Sequence, residues 1–173
     1  MAFRAVAVED SRVEAGALAG VAREGVGNRM KTRDFLEKIR NEEIVGAIQA
    51  AEKKTSGEIR VFISRMDIED PVAAAKTEFE RLGMTRTRER NGVLIYVAPR
   101  VRKFAVIGDQ GVHERCGQAF WQVLTAEMSE QFRDSHFTRG LMHGVKKAGD
   151  LLAEHFPCGP DDKNELPDKI EGD

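Results

Sequence analysis

Apolar residues recur along this chain in two rhythms, and each change of rhythm marks a change of element. From Asn41 onward, Ile44, Val45, Ile48 and Ala51 fall at steps of three and four, the spacing of one helix face. Asn41 is the expected cap, and Glu42 and Glu43 suit the positive end of such a helix. Phe35, Leu36 and Ile39 form a short lead-in, and Thr55-Ser56-Gly57 is the expected stop. The period then becomes two. Ile59, Val61 and Ile63 lie on one side and Arg60 and Phe62 on the other, which predicts a strand over 58–64. Asp70-Pro71 reads as a cap followed by proline at the first helical position. Val72, Ala75, Phe79 and Leu82 carry that helix to about Gly83.

The stretch from Asn91 to His113, NGVLIYVAPRVRKFAVIGDQGVH, holds two further strands. VLIYVA is apolar on both faces, as befits a central strand covered by helices on each side. The link 99–102 is far shorter than the roughly dozen residues a parallel crossover needs, so these two strands are expected to form an antiparallel hairpin. The helix after Asp70 fits a right-handed crossover between parallel first and second strands. Beyond the hairpin, Phe120, Val123, Leu124, Met128 and Phe132 mark one helix face. Leu141, Val145, Ala148, Leu151, Leu152 and Phe156 mark another. The order α-β-α-β-β-α-α predicts an α/β fold: a three-layer α/β/α sandwich around a small mixed sheet.

Composition narrows the class. At 173 residues and 41% hydrophobic, the chain can bury one core, and the pattern assigns that domain to 32–156. Residues 1–31 show no sustained period and are expected to be a disordered extension, with Met30 an alternative start. Residues 157–173 carry six acids and three prolines, the composition of a disordered acidic tail. A net charge of −2 argues against a general nucleic-acid binder. No segment reaches the ~18 apolar residues of a membrane span, and charges interrupt residues 5–26, so no signal peptide is read. Cys116 and Cys158 stand apart without CxxC spacing, as free thiols of a cytoplasmic protein do.

Candidate chemistry gathers where strands end. The first strand delivers Asp67, Glu69 and Asp70, and the third delivers Asp109, His113 and Glu114. Asp67, Asp109 and Glu114 are the acids a hard cation, calcium or magnesium, would take. The bland readings compete: Asp70 caps a helix, and Asp109 is a turn residue bonding its own backbone. The antiparallel third strand also sets Asp109 at the sheet end opposite Asp67, close to Arg90 and Asn91, where an Asp109–Arg90 ion pair could stand in place of a metal bridge. His113 is an acid/base candidate or a structural histidine beside a turn. A phosphatase loop built on Cys116 would want an arginine six residues on, where Gln122 stands, and no GKS/GKT or HExxH occurs. From Arg81 to Lys103 seven basic residues oppose the single acid Glu89. Arg86, Arg88, Arg90 and Asn91 are the residues there for an anionic ligand or acidic protein surface. A plain solvated loop is the alternative, the acidic tail could screen the patch, and nucleic acid is the least favoured partner because no stacking platform accompanies the charge.

These segments also carry a resemblance. GEIRVFI, the NGVLIYVAPRVRKFAVIGDQGV hairpin and FRDSHFTRGLMHGVKKAGDLL resemble the TPM domain over roughly 33–156. Gly57, Asn91, Gly92, Val93, Leu94, Gly108, Gly111, Phe132, Phe137, Gly140 and Gly144 occupy the characteristic places. The resemblance implies an α/β/α sandwich in a bacterial protein. Among such proteins a thylakoid-lumen relative is assigned acid phosphatase activity, others bind calcium, and another is an accessory subunit of membrane receptors. Many relatives carry an aspartate directly before Asn-Gly, where this chain has Arg90, so calcium binding does not carry over intact. The expectation is a soluble binding or accessory module of unidentified partner, with a metal-assisted acid phosphatase as the alternative.

Overall fold

The computed structural model describes residues 4–7, 30–159 and 169–173. Its elements in chain order are β1 (Arg4–Ala7), α1 (Thr32–Lys38), α2 (Asn41–Glu52), β2 (Glu58–Ile63), α3 (Pro71–Arg81), β3 (Gly92–Ala98), β4 (Lys103–Gly108), α4 (Gln110–Arg133), α5 (Phe137–His155) and β5 (Ile170–Gly172). The strands form one mixed sheet in the order β1-β4-β3-β2-β5. β2 and β3 run parallel, with Glu58 opposite Gly92 and Ile63 opposite Val97, so α3 makes the expected crossover. β3 and β4 are antiparallel, with Val93 opposite Gly108 and Ala98 opposite Lys103. The fold is the predicted α/β sandwich.

Every residue of β3 is buried, because helices cover both of its faces. Ile59, Val61, Val93, Ile95, Val97, Phe104 and Val106 face α2, α4 and α5 in the larger core. Phe62, Leu94, Tyr96, Ala105 and Ile107 face Ala75 and Phe79 of α3 in the smaller one. The rings of Phe62 and Tyr96 stack across the parallel pair with centroids 5.5 Å apart. Asp70 caps α3 as expected: its carboxylate accepts from Val72 N at 2.8 Å and Ala73 N at 3.3 Å, with Pro71 in the first turn.

Two local expectations are corrected. Arg40, not Asn41, precedes α2 as its cap residue, and Asn41 is already helical, with no side-chain cap bond. In α4 the buried face is Trp121, Leu124, Thr125, Met128 and Phe132, while Val123 is 55% exposed. Leu124, Met128 and Phe132 are buried as expected and Phe120 packs partly against the core, so the misplaced member is Val123; upstream, the helix is interrupted at Gly117 (φ 67°, ψ 176°). Most of 1–31 and of 157–173 lies outside the described residues. Of the remainder, Arg4–Ala7 pairs parallel with β4, and Ile170–Gly172 pairs parallel with β2.

Candidate functional site

The hairpin register decides what meets at the corner where β4 ends. Gly108 faces Val93, so Asp109 lies beside the loop that enters β3, and Asp109 N donates to Gly92 O at 2.8 Å. Its carboxylate takes two bonds from one guanidinium: Arg90 Nε to Oδ2 at 2.7 Å and Arg90 Nη2 to Oδ1 at 2.8 Å. Gln110 N donates to the same Oδ1 at 2.8 Å, so Asp109 also caps α4. Asp109 is 5% exposed and Arg90 48%, which makes this a charge-assisted pair anchored on its buried partner. Hydrogen bonding to Asp109 raises the Arg90 pKa above its ordinary value, against opposing desolvation. Arg90 holds φ 53°, a left-handed conformation uncommon for a side chain of its size. The bond from Gly111 N to Arg90 O, 3.0 Å long, ties this turn to α4. A Cβ at Gly111 would lie 2.6 Å from Glu89 O and 2.8 Å from Arg90 O, so only glycine lets helix and turn approach this closely.

Asn91 is 1% exposed and structural. Its Nδ2 donates to Ser56 Oγ at 3.1 Å and reaches Glu89 Oε2 at 3.5 Å, while Ser56 Oγ donates to that same Glu89 oxygen. Ser56 N donates to Phe156 O at 3.0 Å, which fastens the end of α5 to the start of β2. Ser56 and Glu89 are the partners that sequence reasoning missed here. Thirty-three residues separate them, so no local spacing signals the contact.

The structure does not bring Asp67 to Asp109. Asp67 follows β2 at the other end of the sheet, where Arg100 Nε meets its Oδ1 at 3.0 Å and Arg100 Nη2 donates to its Oδ2 at 3.1 Å. Glu114 lies on the exposed side of α4 and accepts from Gln110 Nε2 at 2.8 Å. His113 is half-buried in the first turn of α4, with its amide bonded to Asp109 O at 3.0 Å. Among the described residues no group of three or more His, Cys, Asp or Glu is placed to hold a metal ion. The donor set at Asp109 does not fit calcium or magnesium: both its oxygens face a guanidinium, and the position before Asn91 brings a cation instead of a ligand.

The basic patch shrinks in the same way. Arg81 pairs with Glu78 and lies over the Phe62 ring, Arg90 with Asp109, and Arg100 with Asp67. Lys103 Nζ donates to Glu69 O, and Arg102 is engaged too. Arg86 and Arg88 remain exposed and make no ion pair among the described residues. A groove of about 840 Å³ between α2 and α5, lined by Arg40, Lys54, His136, Arg139 and His143, was not foreseen from sequence because its lining is drawn from two distant helices. Two of its charged contacts are internal, Arg40–Glu43 at 2.7 Å and Lys146–Asp150 at 2.6 Å. His143 Nε2 lies 2.7 Å from Glu127 Oε2, and that bond, with the Lys147 charge, holds the Glu127 carboxyl below its ordinary value. Burial pushes the Cys116 thiol up, the wrong direction for a nucleophile.

A family profile described as the TPM domain matches residues 30–151. The solution structure of the BA42 protein from the psychrophilic bacterium Bizionia argentinensis is 40% identical, with a TM-score of 0.71; the alignment covers 78% of this chain and 95% of that one. The N-terminal domain of a protein from P. gingivalis is 17% identical, with a TM-score of 0.58 over 77% of this chain and 99% of that one, a likeness of fold. A comparison with curated proteins found no match.

Proposed function

We propose that this chain, which belongs to the TPM domain family, is a binding or accessory module that holds an acidic segment of a protein partner through Arg86 and Arg88. One observation carries the reading. In a loop and hairpin with seven basic residues, these are the two exposed ones without an ion-pair partner among the described residues. Arg81, Arg90, Arg100 and Lys103 already have carboxylate or carbonyl partners and Arg102 is engaged, so they shape the loop while these two face outward. A short 3₁₀ turn at Met84–Arg86, whose Met84 is buried, anchors one side of the loop, and the Arg90–Asp109 pair anchors the other. Arg86 and Arg88 are thus presented from fixed ends, which lowers the ordering cost of meeting a carboxylate.

The phosphatase alternative gains no support from the site. Asp109 is a helix cap bound to arginine, His113 has no carboxylate partner among the described residues, and Cys116 is shifted away from thiolate.

The test is anisotropy of a fluorescent poly-glutamate peptide, with wild type compared with Arg86→Ala/Arg88→Ala. Saturable binding that weakens fivefold or more in the double variant, and weakens again with salt, is expected. Binding that is absent, or indifferent to both arginines, sinks the reading. A parallel assay of chromogenic phosphate hydrolysis, with and without calcium or magnesium, compares wild type with Asp109→Ala. Turnover that disappears in the variant would reinstate the enzyme.

A further inference from the structure

The outer edge of β2 is closed by a strand from outside the family-matched region. Residues 30–151 match the TPM domain, whereas β5 begins at Ile170. Val61 pairs with Ile170, Phe62 with Glu171 and Ile63 with Gly172, in parallel. Along a strand the amides point alternately to either side. Ser64 N donates inward to Val97 O at 2.8 Å, so Ile59, Val61, Ile63 and Arg65 present theirs to the outer edge. The first and last of these four are met by carboxylates. Ile59 N donates to Glu52 Oε1 at 2.8 Å, and Arg65 N donates to Asp173 Oδ1. The edge therefore offers a window of fixed length, bounded at its start by a side chain of α2 and read at its end by an aspartate.

What fits that window is specified position by position. Ile170 packs against the larger core. Glu171 lies on the opposite face of the strand, 20% exposed, and is bound by Lys169 Nζ at 3.0 Å. A Cβ on Gly172 would lie 3.0 Å from Ile63 O, so a larger residue there presses on the β2 backbone. Asp173 is received by a preformed acceptor site: Ser64 is fully buried, its Oγ donates to Asp173 Oδ2 at 2.9 Å and accepts from Met66 N at 3.0 Å. The ligand pattern is an aliphatic residue, a polar residue, glycine and aspartate. It is held by three residues of strand pairing and one capped carboxylate, against six residues in the β2–β3 ladder.

We infer that the β2 edge is a strand-docking site for an extended peptide segment of another protein with the pattern aliphatic–polar–Gly–Asp, and that the chain's own residues 170–173 fill it in cis until such a segment displaces them. A short edge strand is the weakest ladder in a sheet, and an open edge is a ready template for an added strand. This surface lies at the β2 edge, apart from Arg86 and Arg88, so its test is independent of theirs.

The probe is a labelled peptide of residues 167–173, PDKIEGD, titrated into the full chain and into a variant lacking residues 169–173. The shortened chain is expected to bind at least tenfold more tightly, because the full chain carries its own competitor. Replacing the last aspartate of the peptide by alanine, or its glycine by valine, is expected to weaken binding tenfold. In case the shortened chain does not fold, as judged by circular dichroism, full-length Asp173→Ala opens the same edge and is expected to bind the unmodified peptide several-fold more tightly than wild type. Equal binding to full and opened chains, no binding to a folded opened chain, or indifference to the peptide's aspartate would overturn the inference. So would a full chain that is dimeric in sedimentation and monomeric once shortened, since a second copy would then be the occupant.

Discussion

The two ends of the sheet each carry an arginine clamped on an aspartate by two bonds, and what separates the pairs is the burial of the carboxylate. At the Asp109 end the carboxylate is 5% exposed, receives both arms of Arg90 and caps a helix with its remaining capacity. At the Asp67 end the two partners are 44% and 39% exposed. Solvent screens the second pair and leaves side-chain entropy to oppose it, while burial and the helix N-terminus amplify the first. The same two residue types therefore build a structural joint at one end and a surface contact at the other. Counting ion pairs would miss the distinction.

The largest effect should come from removing the buried member. Asp109→Ala loses the α4 cap and the partner of Arg90, and is expected to cost about 2 kcal/mol in urea unfolding with an unchanged slope. Asp67→Ala should cost less than about 0.5 kcal/mol in the same measurement. Equal losses would show that burial at the Asp109 corner is not what sets its energy. A double-mutant cycle isolates the pairs themselves: the Arg90–Asp109 coupling is expected near 1.5 kcal/mol and the Arg100–Asp67 coupling near 0.3 kcal/mol.

How far these ends were legible in the sequence follows from how local each signal is. The Arg90–Asp109 pair is readable because a four-residue link forces a hairpin, and hairpin register then sets residues 19 apart side by side. Arg100–Asp67 and Ser56–Glu89 join loops 33 residues apart, whose meeting depends on the whole crossover. The layers were legible because VLIYVA is apolar on both faces and the helices keep a clean period. The face of α4 was legible at Leu124, Met128 and Phe132 and misread at Val123, where Trp121 takes the core instead. β5 was hidden for another reason. Composition measures apolar surface, but an edge strand is held by backbone bonds and needs only one aliphatic side chain, here Ile170.

A smaller effect should follow from reversing the charge at the stronger joint. Arg90→Asp places before Asn-Gly the acid that the resemblance leads one to expect there and sets it against Asp109. The variant is expected to be less stable than wild type by about 1 kcal/mol without metal, from lost pairing and like-charge repulsion. Millimolar calcium should raise its melting temperature by a few degrees and leave wild type unmoved. A variant as indifferent to calcium as wild type would show that Arg90 does not substitute for a cation.

The smallest expected effect is spectroscopic and belongs to the Asp67 end. The chain has one tyrosine, Tyr96, so its phenolate absorbance reports that end alone. Burial, foremost, raises the Tyr96 pKa above its ordinary value; the charges of Asp173 and Glu78 add to this, and the Ser64 hydrogen bond opposes it. Because the folded-state value is raised, the neutral phenol's contribution to stability is fully present below the ordinary phenol range. It is lost as pH rises through the folded value, so weakening belongs to the alkaline side. Asp173→Ala removes one raising charge and should move the ionisation midpoint down. Asp67→Ala, whose carboxylate is not among the groups acting on Tyr96, should leave it in place. A midpoint that moves with Asp67 and not with Asp173 would mean that the acidic tail does not sit against Ser64 in solution, and the distinction between a capped strand edge and a surface ion pair at this end would fall.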